Sequence, residues 1–405
     1  MKILLANDLA APHGGAEILT LALRAGLRGR GHDARIFASS ARSASGPSEA
    51  DYACYGTTGR LRTLHRAANP SASLRLRRVL REFRPDVVHV RMFLTQLSPL
   101  ILPLLRDVPA LYHAAWYEAV CPTGHKLLPG GTICRQPAGR ACLREGCLSL
   151  RAWPPLMAQR ALLRRWRGVF DLVVANSGAL RDELRADGFG PRVEVVWNGV
   201  PEVEPRPPLA GPPTITSAGR LGPEKGIDVL LRAFAGVIVA LPEARLRIAG
   251  DGPERAHLER LAATLGVGGA VDFLGHQGAE QLEQSFRVGW VHAVPSRSPE
   301  SFGLTAAEGM MRGTAVVATR AGGLAEIVVD GETGLLVPPG DAAALRDALL
   351  GLLSDRERAE RLGRAGRARA KALLAREAWV DRFVDLYREL AASPAPSREP
   401  VTEAP

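Results

Sequence analysis

The chain alternates short apolar runs with longer amphipathic stretches, and this alternation occurs on both sides of a proline-rich segment. The runs are rich in Val, Ile and Leu without polar alternation, which is typical of strands buried on both faces of a parallel sheet. They lie at residues 2–8, 33–39, 86–90, 108–115, 171–177 and 193–199, and again at 214–221, 245–252, 271–276, 289–296, 314–322 and 333–337. Helical stretches between the runs predict two doubly wound α/β domains.

The proline-rich segment predicts the boundary between these domains. Six prolines fall within residues 201–213, a composition that favours an extended connector over a helix or a central strand. We therefore expect an N-terminal Rossmann-like domain over 1–200, with a cysteine-bearing insertion at 118–150, and a C-terminal Rossmann-like domain over 214–375. Residues 391–405 are rich in Pro, Ser and Ala, and we expect them to be disordered.

The length of 405 residues accommodates two domains, and the net charge of +10 is unevenly divided between them. Residues 1–200 carry 28 basic and 15 acidic side chains, a balance of +13, whereas the rest carries 24 and 27, a balance of −3. This excess indicates an anionic partner or surface on the first half rather than a nucleic-acid coat. Two basic amphipathic stretches, 74–84 and 159–167, fit an anionic membrane surface or, more commonly, core helices with a solvated basic face.

Long apolar segments are missing from the sequence. The run at residues 3–6 is interrupted by Asn7 and Asp8 and is too short for the core of a signal peptide. The longest charge-free stretch, 92–105, falls short of the roughly 20 residues that a membrane-spanning helix needs. We therefore expect a cytoplasmic protein.

Glycine-rich turns follow several predicted strands, at the sheet edge where open α/β proteins bind ligands. Gly14 and Gly15 precede an amphipathic helix, so the backbone can approach a ligand at the helix start. Arg220 and Lys225 lie five residues apart on a second such loop, and an arginine fork with a lysine charge suits a diphosphate. Gly250 belongs to a third turn. Taken singly, these features also fit ordinary turns and solvated cations.

A pair of glutamates forms the sharpest motif. Glu300 lies in a predicted loop, and Glu308 lies about two turns into the helix that follows. Carboxylates accept hydrogen bonds from sugar hydroxyls, and the free amides of Gly303 and Leu304 at the helix start can receive a phosphate. The position of the pair after an apolar strand argues against a merely solvated helix face.

The order of these motifs resembles glycosyltransferase family 4, whose members are retaining enzymes of the GT-B fold that use nucleotide-sugar donors. The motifs are Gly14-Gly15, His113, Asn198-Gly199-Val200, Gly219-Arg220-Leu221 with Lys225-Gly226, Gly250-Asp251-Gly252-Pro253, Phe273-Leu274-Gly275, Glu300 with Glu308, and Gly331 with Gly334-Leu335-Leu336. The resemblance implies two Rossmann-like domains facing a cleft, with the donor on the second and the acceptor on the first. It also implies that a helix over 376–390 crosses back to the first domain.

By this resemblance, Arg220 and Lys225 bind the donor diphosphate, Glu300 holds sugar hydroxyls, Glu308 holds the ribose, and His113 faces the transferred sugar. His113 is followed by Ala114-Ala115-Trp116-Tyr117, where the family usually has Asp and then an aromatic residue. The catalytic set implied is His113, Glu300, Arg220 and Lys225. The donor-binding set implied is Gly14, Gly15, Arg220, Lys225, Gly250, Leu274, Gly275, Glu300, Phe302, Gly303, Leu304 and Glu308.

The same resemblance implies the substrates. The donor would be a nucleotide sugar, with UDP favoured, and the acceptor a glycan, a lipid or a small molecule. No Asp-x-Asp motif occurs, so we expect a metal-independent enzyme whose cations neutralise the leaving group. Peripheral association with an anionic membrane is expected from the basic first half, and no nucleic-acid partner is expected. A sugar-nucleotide 2-epimerase, which shares the architecture, stays open as an alternative.

Four of the five cysteines fall in one Gly- and Pro-rich stretch that also contains His125. They are Cys121, Cys134, Cys142 and Cys147. Four thiols can bind a structural zinc ion, but no Cys-x-x-Cys pair is present, so reduced thiols or disulfides in a structural insertion are the alternative. A non-enzymatic module that binds an anionic surface through such a metal site is a further alternative, although it leaves the second-half motifs unexplained.

Overall fold

The computed structural model describes residues 1–12, 14–41, 47–59, 62–190 and 192–392. Within these residues, the first half forms a seven-stranded sheet with helices on both faces. Its strands are β1 (Lys2–Ala6), β2 (Asp33–Ser39), β3 (Tyr52–Cys54), β4 (Val87–Val90), β5 (Ala110–Ala114), β6 (Leu172–Ala175) and β7 (Val193–Val195). Its helices are α1 (Gly15–Gly29), α2 (Arg62–Ala67), α3 (Pro70–Phe83), α4 (Arg140–Arg144), α5 (Trp153–Trp166) and α6 (Gly178–Ala186).

The second half forms a six-stranded sheet built in the same way. Its strands are β8 (Thr214–Ala218), β9 (Arg245–Ala249), β10 (Val271–Gly275), β11 (Val291–Val294), β12 (Ala315–Thr319) and β13 (Leu335–Val337). Its helices are α7 (Ile227–Ala240), α8 (Arg255–Thr264), α9 (Ala279–Phe286), α10 (Leu304–Met311), α11 (Leu324–Ile327), α12 (Ala342–Leu353), α13 (Arg356–Leu373) and the C-terminal α14 (Arg376–Ala392).

Both sheets are parallel and reverse their strand order beside their first strand. The orders are β3-β2-β1-β4-β5-β6-β7 and β10-β9-β8-β11-β12-β13. In such sheets a crevice opens beyond the carboxyl ends of the strands where the order reverses, which is at β1 and β8. The prediction of two doubly wound parallel-sheet domains is confirmed. The short edge strand β3 was not predicted, because its residues, Tyr52-Ala53-Cys54, contain no Val, Ile or Leu.

The apolar runs form strands because both of their faces are covered. In β1, Leu4 packs with Leu76 and Val79 of α3, whereas Ile3 and Leu5 pack on the opposite face of the sheet. Each of these β1 side chains is 0–2% exposed, and burying a Leu or Ile side chain contributes about 1.5–3 kcal/mol. A sheet covered on both faces therefore leaves only the strand ends and their turns available to a ligand.

Helix α14 packs on the first sheet, although it follows the second sheet in the chain. Trp379, Phe383 and Tyr387 are buried in the same apolar cluster as Leu23 of α1. A Cβ on Gly26 of α1 would lie 2.7 Å from Val380 Cγ2, so the two helices need a glycine at their contact. The helix includes the first two residues of the segment 391–405, and the rest of that segment lies outside the described residues.

The proline-rich segment 201–213 joins β7 to β8 without regular secondary structure. It is held against the second half, because Arg206 Nη2 lies 3.0 Å from Glu360 Oε2 of α13. The backbone N–H of Leu209 donates a 2.8 Å hydrogen bond to the same carboxylate, and the Leu209 side chain is buried. The connector is therefore fixed to the second half by α13.

Candidate active site

A cleft of about 900 Å³ lies at the carboxyl ends of the two sheets. Its N-terminal wall includes the turns after β1 and β5, and its C-terminal wall comes from the turns after β8 and β11. These turns bring together residues that are far apart in the sequence. Five of the predicted site residues line the cleft: Gly14, Gly15, Arg220, Lys225 and Glu300.

Lys225 and Glu300 form an ion pair on the C-terminal wall. Lys225 Nζ lies 2.7 Å from Glu300 Oε1, which also accepts a 2.5 Å hydrogen bond from Ser296 Oγ. Burial by itself raises the pKa of Glu300, but Lys225, Ser296 and the neighbouring His125 outweigh it, and the pKa is lowered. Glu300 is therefore a charged carboxylate whose position is already fixed.

Arg220 lies on the turn after β8 and keeps much of its guanidinium exposed. Its Nη2 lies 2.5 Å from Glu224 Oε1, and its side chain is 53% exposed. One carboxylate contact leaves other N–H donors of the fork available to an anion. Arg220 and Lys225 thus place two cations on one wall of the cleft.

Gly250 has a structural role beside this wall. Its φ is +132°, and its N–H donates a 2.8 Å hydrogen bond to the carbonyl of Gly275 at the end of β10. A Cβ at this position would overlap the backbone carbonyl of Gly219. Only glycine fits where the ends of β8, β9 and β10 pack this closely, and Gly250 does not itself line the cleft.

Helices α1 and α10 start opposite each other across the cleft. A Cβ on Gly15 would lie 3.0 Å from Leu304 Cδ2, so the two helix starts are in contact range. Gly303, which caps α10, has a φ of +101°, and a Cβ there would overlap the Leu324 side chain. Helix N-termini present N–H groups without intrahelical partners and a positive dipole end, and both features favour an anionic ligand.

Other members of the predicted donor set lie outside the lining of the cleft. Phe302 is buried in an apolar cluster with Leu324, and Leu274 lies on the edge strand β10. Glu308 is half-buried on α10, where burial raises its pKa against the opposing influence of Arg312 and Arg376. Phe302, Leu274 and Glu308 are not among the residues that line the cleft.

The structure does not bring His113 to the cleft. His113 is completely buried, and its ring packs 5.3 Å from the ring of His89 and 5.1 Å from that of Phe383 in α14. Burial lowers its pKa well below the usual value, with Arg91 and His89 adding to the effect. The physical reason is strand geometry: His113 lies within β5, where side chains point to the faces of the sheet and not beyond its end.

Aromatic and imidazole side chains that the sequence patterns did not single out for the site line the N-terminal wall. Trp116 and Tyr117 follow β5, and His125 comes from the cysteine-bearing segment. Ser301 Oγ donates a 2.8 Å hydrogen bond to the carbonyl of Ala115, which joins the two walls. No local pattern places His125 in the site, because its position depends on how its loop folds back over β5.

The four clustered cysteines line one small pocket beside the cleft, together with Lys126 and Glu145. Burial raises the pKa of Cys147, and the three other thiols add to this increase. All four are free thiols. In the part of the chain that the structure describes, no three or more His, Cys, Asp or Glu side chains are arranged to hold a metal ion.

The two basic stretches are parts of packed helices. In α3, Leu76 and Val79 are buried, while Arg77 and Arg78 face solvent. In α5, Arg160 is buried and forms an ion pair with Asp187. None of the described helices combines the length and apolar character that crossing a bilayer demands.

Two parallel-sheet domains with a cleft at their strand ends define the architecture of GT-B glycosyltransferases. Residues 13–203 match the model of "Glycosyltransferase Family 4", and residues 202–369 match that of "Glycosyl transferases group 1". A GDP-mannose-dependent α-(1-6)-phosphatidylinositol monomannoside mannosyltransferase of Mycolicibacterium smegmatis is 32% identical over 62% of this chain and 70% of that protein. The chain belongs to glycosyltransferase family 4.

Other similar proteins match a smaller share of their own length. A D-inositol 3-phosphate glycosyltransferase of Nocardia farcinica is 40% identical over 45% of this chain and 41% of that protein. The chain thus spans about two fifths of the length of this relative.

Solved structures share the whole fold. Sucrose-phosphate synthase from Thermosynechococcus elongatus superposes with a TM-score of 0.74 at 25% identity, covering 97% of this chain and all of that one. The Anabaena protein HepE in complex with UDP and glucose superposes with a TM-score of 0.71 at 21% identity, covering 96% and 100%.

Proposed function

We propose that this protein is a retaining glycosyltransferase that moves a hexosyl group from a nucleoside-diphosphate sugar to an acceptor on the N-terminal wall. The observation that carries the proposal is the convergence of Arg220, Lys225 and Glu300 with the start of α1 in one cleft. Two cations and a helix N-terminus suit a diphosphate, and a fixed carboxylate suits sugar hydroxyls. A volume of about 900 Å³ is in the range of small-molecule sites.

The roles of these residues follow from where charge develops. When the bond between the anomeric carbon and the diphosphate breaks, negative charge grows on the departing diphosphate. Lys225 and Arg220 stabilise that charge, and a charge-assisted hydrogen bond of this kind contributes about 1.5–3 kcal/mol. Glu300, held by Lys225 and Ser296, accepts hydrogen bonds from sugar hydroxyls and fixes the orientation of the ring.

Retention of the anomeric configuration follows if the acceptor attacks from the side that the diphosphate leaves. The acceptor oxygen bonds to the anomeric carbon, and its proton passes to the departing diphosphate oxygen. In this proposal the departing diphosphate is the base, and none of the described carboxylates that line the cleft, Glu17, Glu224 and Glu300, takes the proton.

The acceptor wall is polar and carries positive charge. Thr57, Thr58 and Thr63 line this wall, and Arg62 and Arg66 add two guanidinium groups. These residues favour a polyhydroxylated acceptor that bears an anionic group. Relatives whose names specify an inositol phosphate or a phosphatidylinositol mannoside act on acceptors of that chemistry. Glycan and lipid-linked acceptors both fit this description.

Peripheral membrane association is part of the same proposal, because the exposed arginines of α3 lie on the acceptor half. Flotation with vesicles containing phosphatidylglycerol at low salt tests it, and we expect binding that salt weakens. Flotation equal to that with neutral phosphatidylcholine vesicles would contradict this part of the proposal.

A donor panel tests the activity. We expect UDP to raise the melting temperature more than GDP or ADP, and UDP-glucose turnover to release UDP. Acceptor-dependent release supports transfer, whereas acceptor-independent conversion to an isomeric nucleotide sugar supports the 2-epimerase alternative. Proton NMR of the product checks retention through the anomeric coupling. Absence of a thermal shift with every nucleoside diphosphate would reject the donor site.

A further inference from the structure

The cleft contains an imidazole, but it is not that of His113. Among the described residues that line the cleft, His125 is the one histidine. It belongs to the cysteine-bearing segment rather than to the end of a strand. Its position on the N-terminal wall faces the donor residues of the C-terminal wall.

The loop around His125 is held in place by its neighbours. Gly124 has a φ of +78°, and a Cβ there would overlap the ring of Trp116. Trp116 in turn packs edge-on against the imidazole of His125, with ring centroids 5.5 Å apart. The next residue, Lys126, is buried and its Nζ lies 2.5 Å from Glu183 Oε2 of α6. Fixed contacts on both sides restrict where the imidazole can point.

Charged groups of the opposite wall act on the imidazole of His125. Burial lowers the pKa of His125, Arg220 and Lys225 lower it further, and Glu224 and Glu300 oppose them. The ammonium of the adjacent Lys126 is paired with Glu183. A neutral imidazole has one N–H donor and one acceptor nitrogen, so it can hydrogen-bond to a sugar hydroxyl without repelling the two cations.

We propose that His125 is a catalytic residue that hydrogen-bonds to the transferred sugar, so that the cysteine-bearing segment completes the active site. This inference rests on the proposed function. The bond from the anomeric carbon to the diphosphate breaks, the new bond to the acceptor oxygen forms, and the acceptor proton goes to the diphosphate. His125 takes no net proton in this balance; it holds the sugar in the orientation in which these bonds exchange.

The test compares His125→Gln and His125→Ala with His257→Ala, a control on the exposed side of α8. The assay is hydrolysis of UDP-glucose, in which water replaces the acceptor and UDP, glucose and a proton are released. We expect kcat to fall by about 10- to 100-fold in His125→Ala, the effect of losing one hydrogen bond in a partly buried site, with UDP affinity within about twofold of wild type. The melting temperatures of all three variants are measured alongside.

The pH profile separates contact with the sugar from a merely structural role. Acidification protonates the imidazole and adds a third positive charge beside Arg220 and Lys225. We therefore expect kcat of the wild type to decline on the acid side, and this decline to be absent in His125→Gln. A structural role alone would leave the shape of the profile unchanged.

Each outcome bears on the inference. If the wild type turns over and both His125 variants keep its kcat and pH profile, the inference about His125 is overturned. The proposed function is then unaffected. If UDP is not bound, the same comparison is made with the nucleotide sugar that the donor panel selects; failure of the wild type to bind every nucleoside diphosphate overturns the proposed function and this inference together. Loss of UDP binding in His125→Gln at an unchanged melting temperature would place His125 at the nucleotide instead, and also overturns the inference.

Discussion

Glu300 lines the C-terminal wall of the cleft, whereas Glu118 is buried next to Tyr117 of the N-terminal wall, and the surroundings of the two carboxylates differ. Glu300 has the cation of Lys225 at 2.7 Å, and its pKa is lowered despite burial. Glu118 lies behind Tyr117; burial and the charge of Asp8 raise its pKa to about 8, against the influence of Arg66. One wall therefore keeps a fixed negative charge, whereas the other holds a proton at neutral pH.

This difference indicates what each wall can do. A buried carboxylate remains charged only if a cation or several donors compensate for its lost hydration. On the C-terminal wall, Lys225 compensates for the lost hydration of Glu300, so this wall can bind sugar hydroxyls through the charged carboxylate. The N-terminal wall does not provide such compensation for Glu118, which lies outside the cleft lining; the polar residues that line this wall include Glu17 in the first turn of α1, several threonines, and Arg62 and Arg66. Part of the net positive charge of +13 in the first half comes from solvent-exposed arginines such as Arg77 and Arg78 of α3.

The largest expected effect is on the C-terminal wall. Lys225→Ala removes a cation from the departing diphosphate and leaves Glu300 without its partner, so we expect kcat to fall by about 100-fold or more. Steady-state UDP release measures it. Lys371→Ala is the control, because Lys371 pairs with Glu202 on the surface. A kcat equal to that of the wild type in Lys225→Ala would contradict the catalytic role of the C-terminal wall.

The second prediction concerns Glu118 and pH. The pKa of Glu118 is about 8 in the folded protein and near 4.5 when exposed, so its stabilising contribution is complete below the lower value. It is lost as the pH rises through the higher one. Between pH 6 and pH 8.5 we expect the wild type to lose about 1–3 kcal/mol more unfolding free energy than Glu118→Gln.

Urea unfolding at the two pH values measures this difference. Glu82→Gln, at an exposed position on α3, is the control and should keep the wild-type slope. Parallel pH dependence in the wild type and Glu118→Gln would show that Glu118 is already charged at pH 6.

The third prediction concerns the contact between the walls. Glu326 of α11 accepts 2.8 Å hydrogen bonds from the N–H groups of Gly178 and Ala179, the first two residues of α6 in the other domain, whose N-cap is Ser177. A hydrogen bond to a charged group contributes about 1.5–3 kcal/mol. In Glu326→Ala we expect a several-fold higher KM for the donor and a larger radius of gyration by solution X-ray scattering. Glu332→Ala, at an exposed site, controls for loss of charge.

The smallest effect is expected on the basic surface of the first half. Arg78 is 65% exposed, and its nearest carboxylate, that of Glu82, is 3.9 Å away. We expect Arg78→Gln to change the unfolding free energy by less than about 0.5 kcal/mol, because exposed pairs contribute little. Thermal and urea unfolding check this. A larger loss would show that the basic face of α3 is structural rather than solvated.

The C-terminal wall of the cleft was easier to predict than the N-terminal wall. Arg220, Lys225 and Glu300 lie in turns directly after strands, and such turns meet at one sheet edge in a parallel fold. The resemblance implies that His113 faces the transferred sugar, whereas in the structure His113 lies within β5 and outside the residues that line the cleft. Its ring then packs under α14, a helix at the other end of the chain. His125 carried no signal, because a loop without periodicity does not reveal where it folds.

The sequence by itself determined the two α/β domains, their order and the donor turns. Apolar runs, proline content and turn glycines are properties of short segments, and each acts through local backbone preference and burial. Only the tertiary structure decided which imidazole reaches the cleft, that α14 covers the first sheet, and which buried carboxylate is charged. Those outcomes depend on contacts between distant segments, because desolvation and pairing are set by neighbours in space.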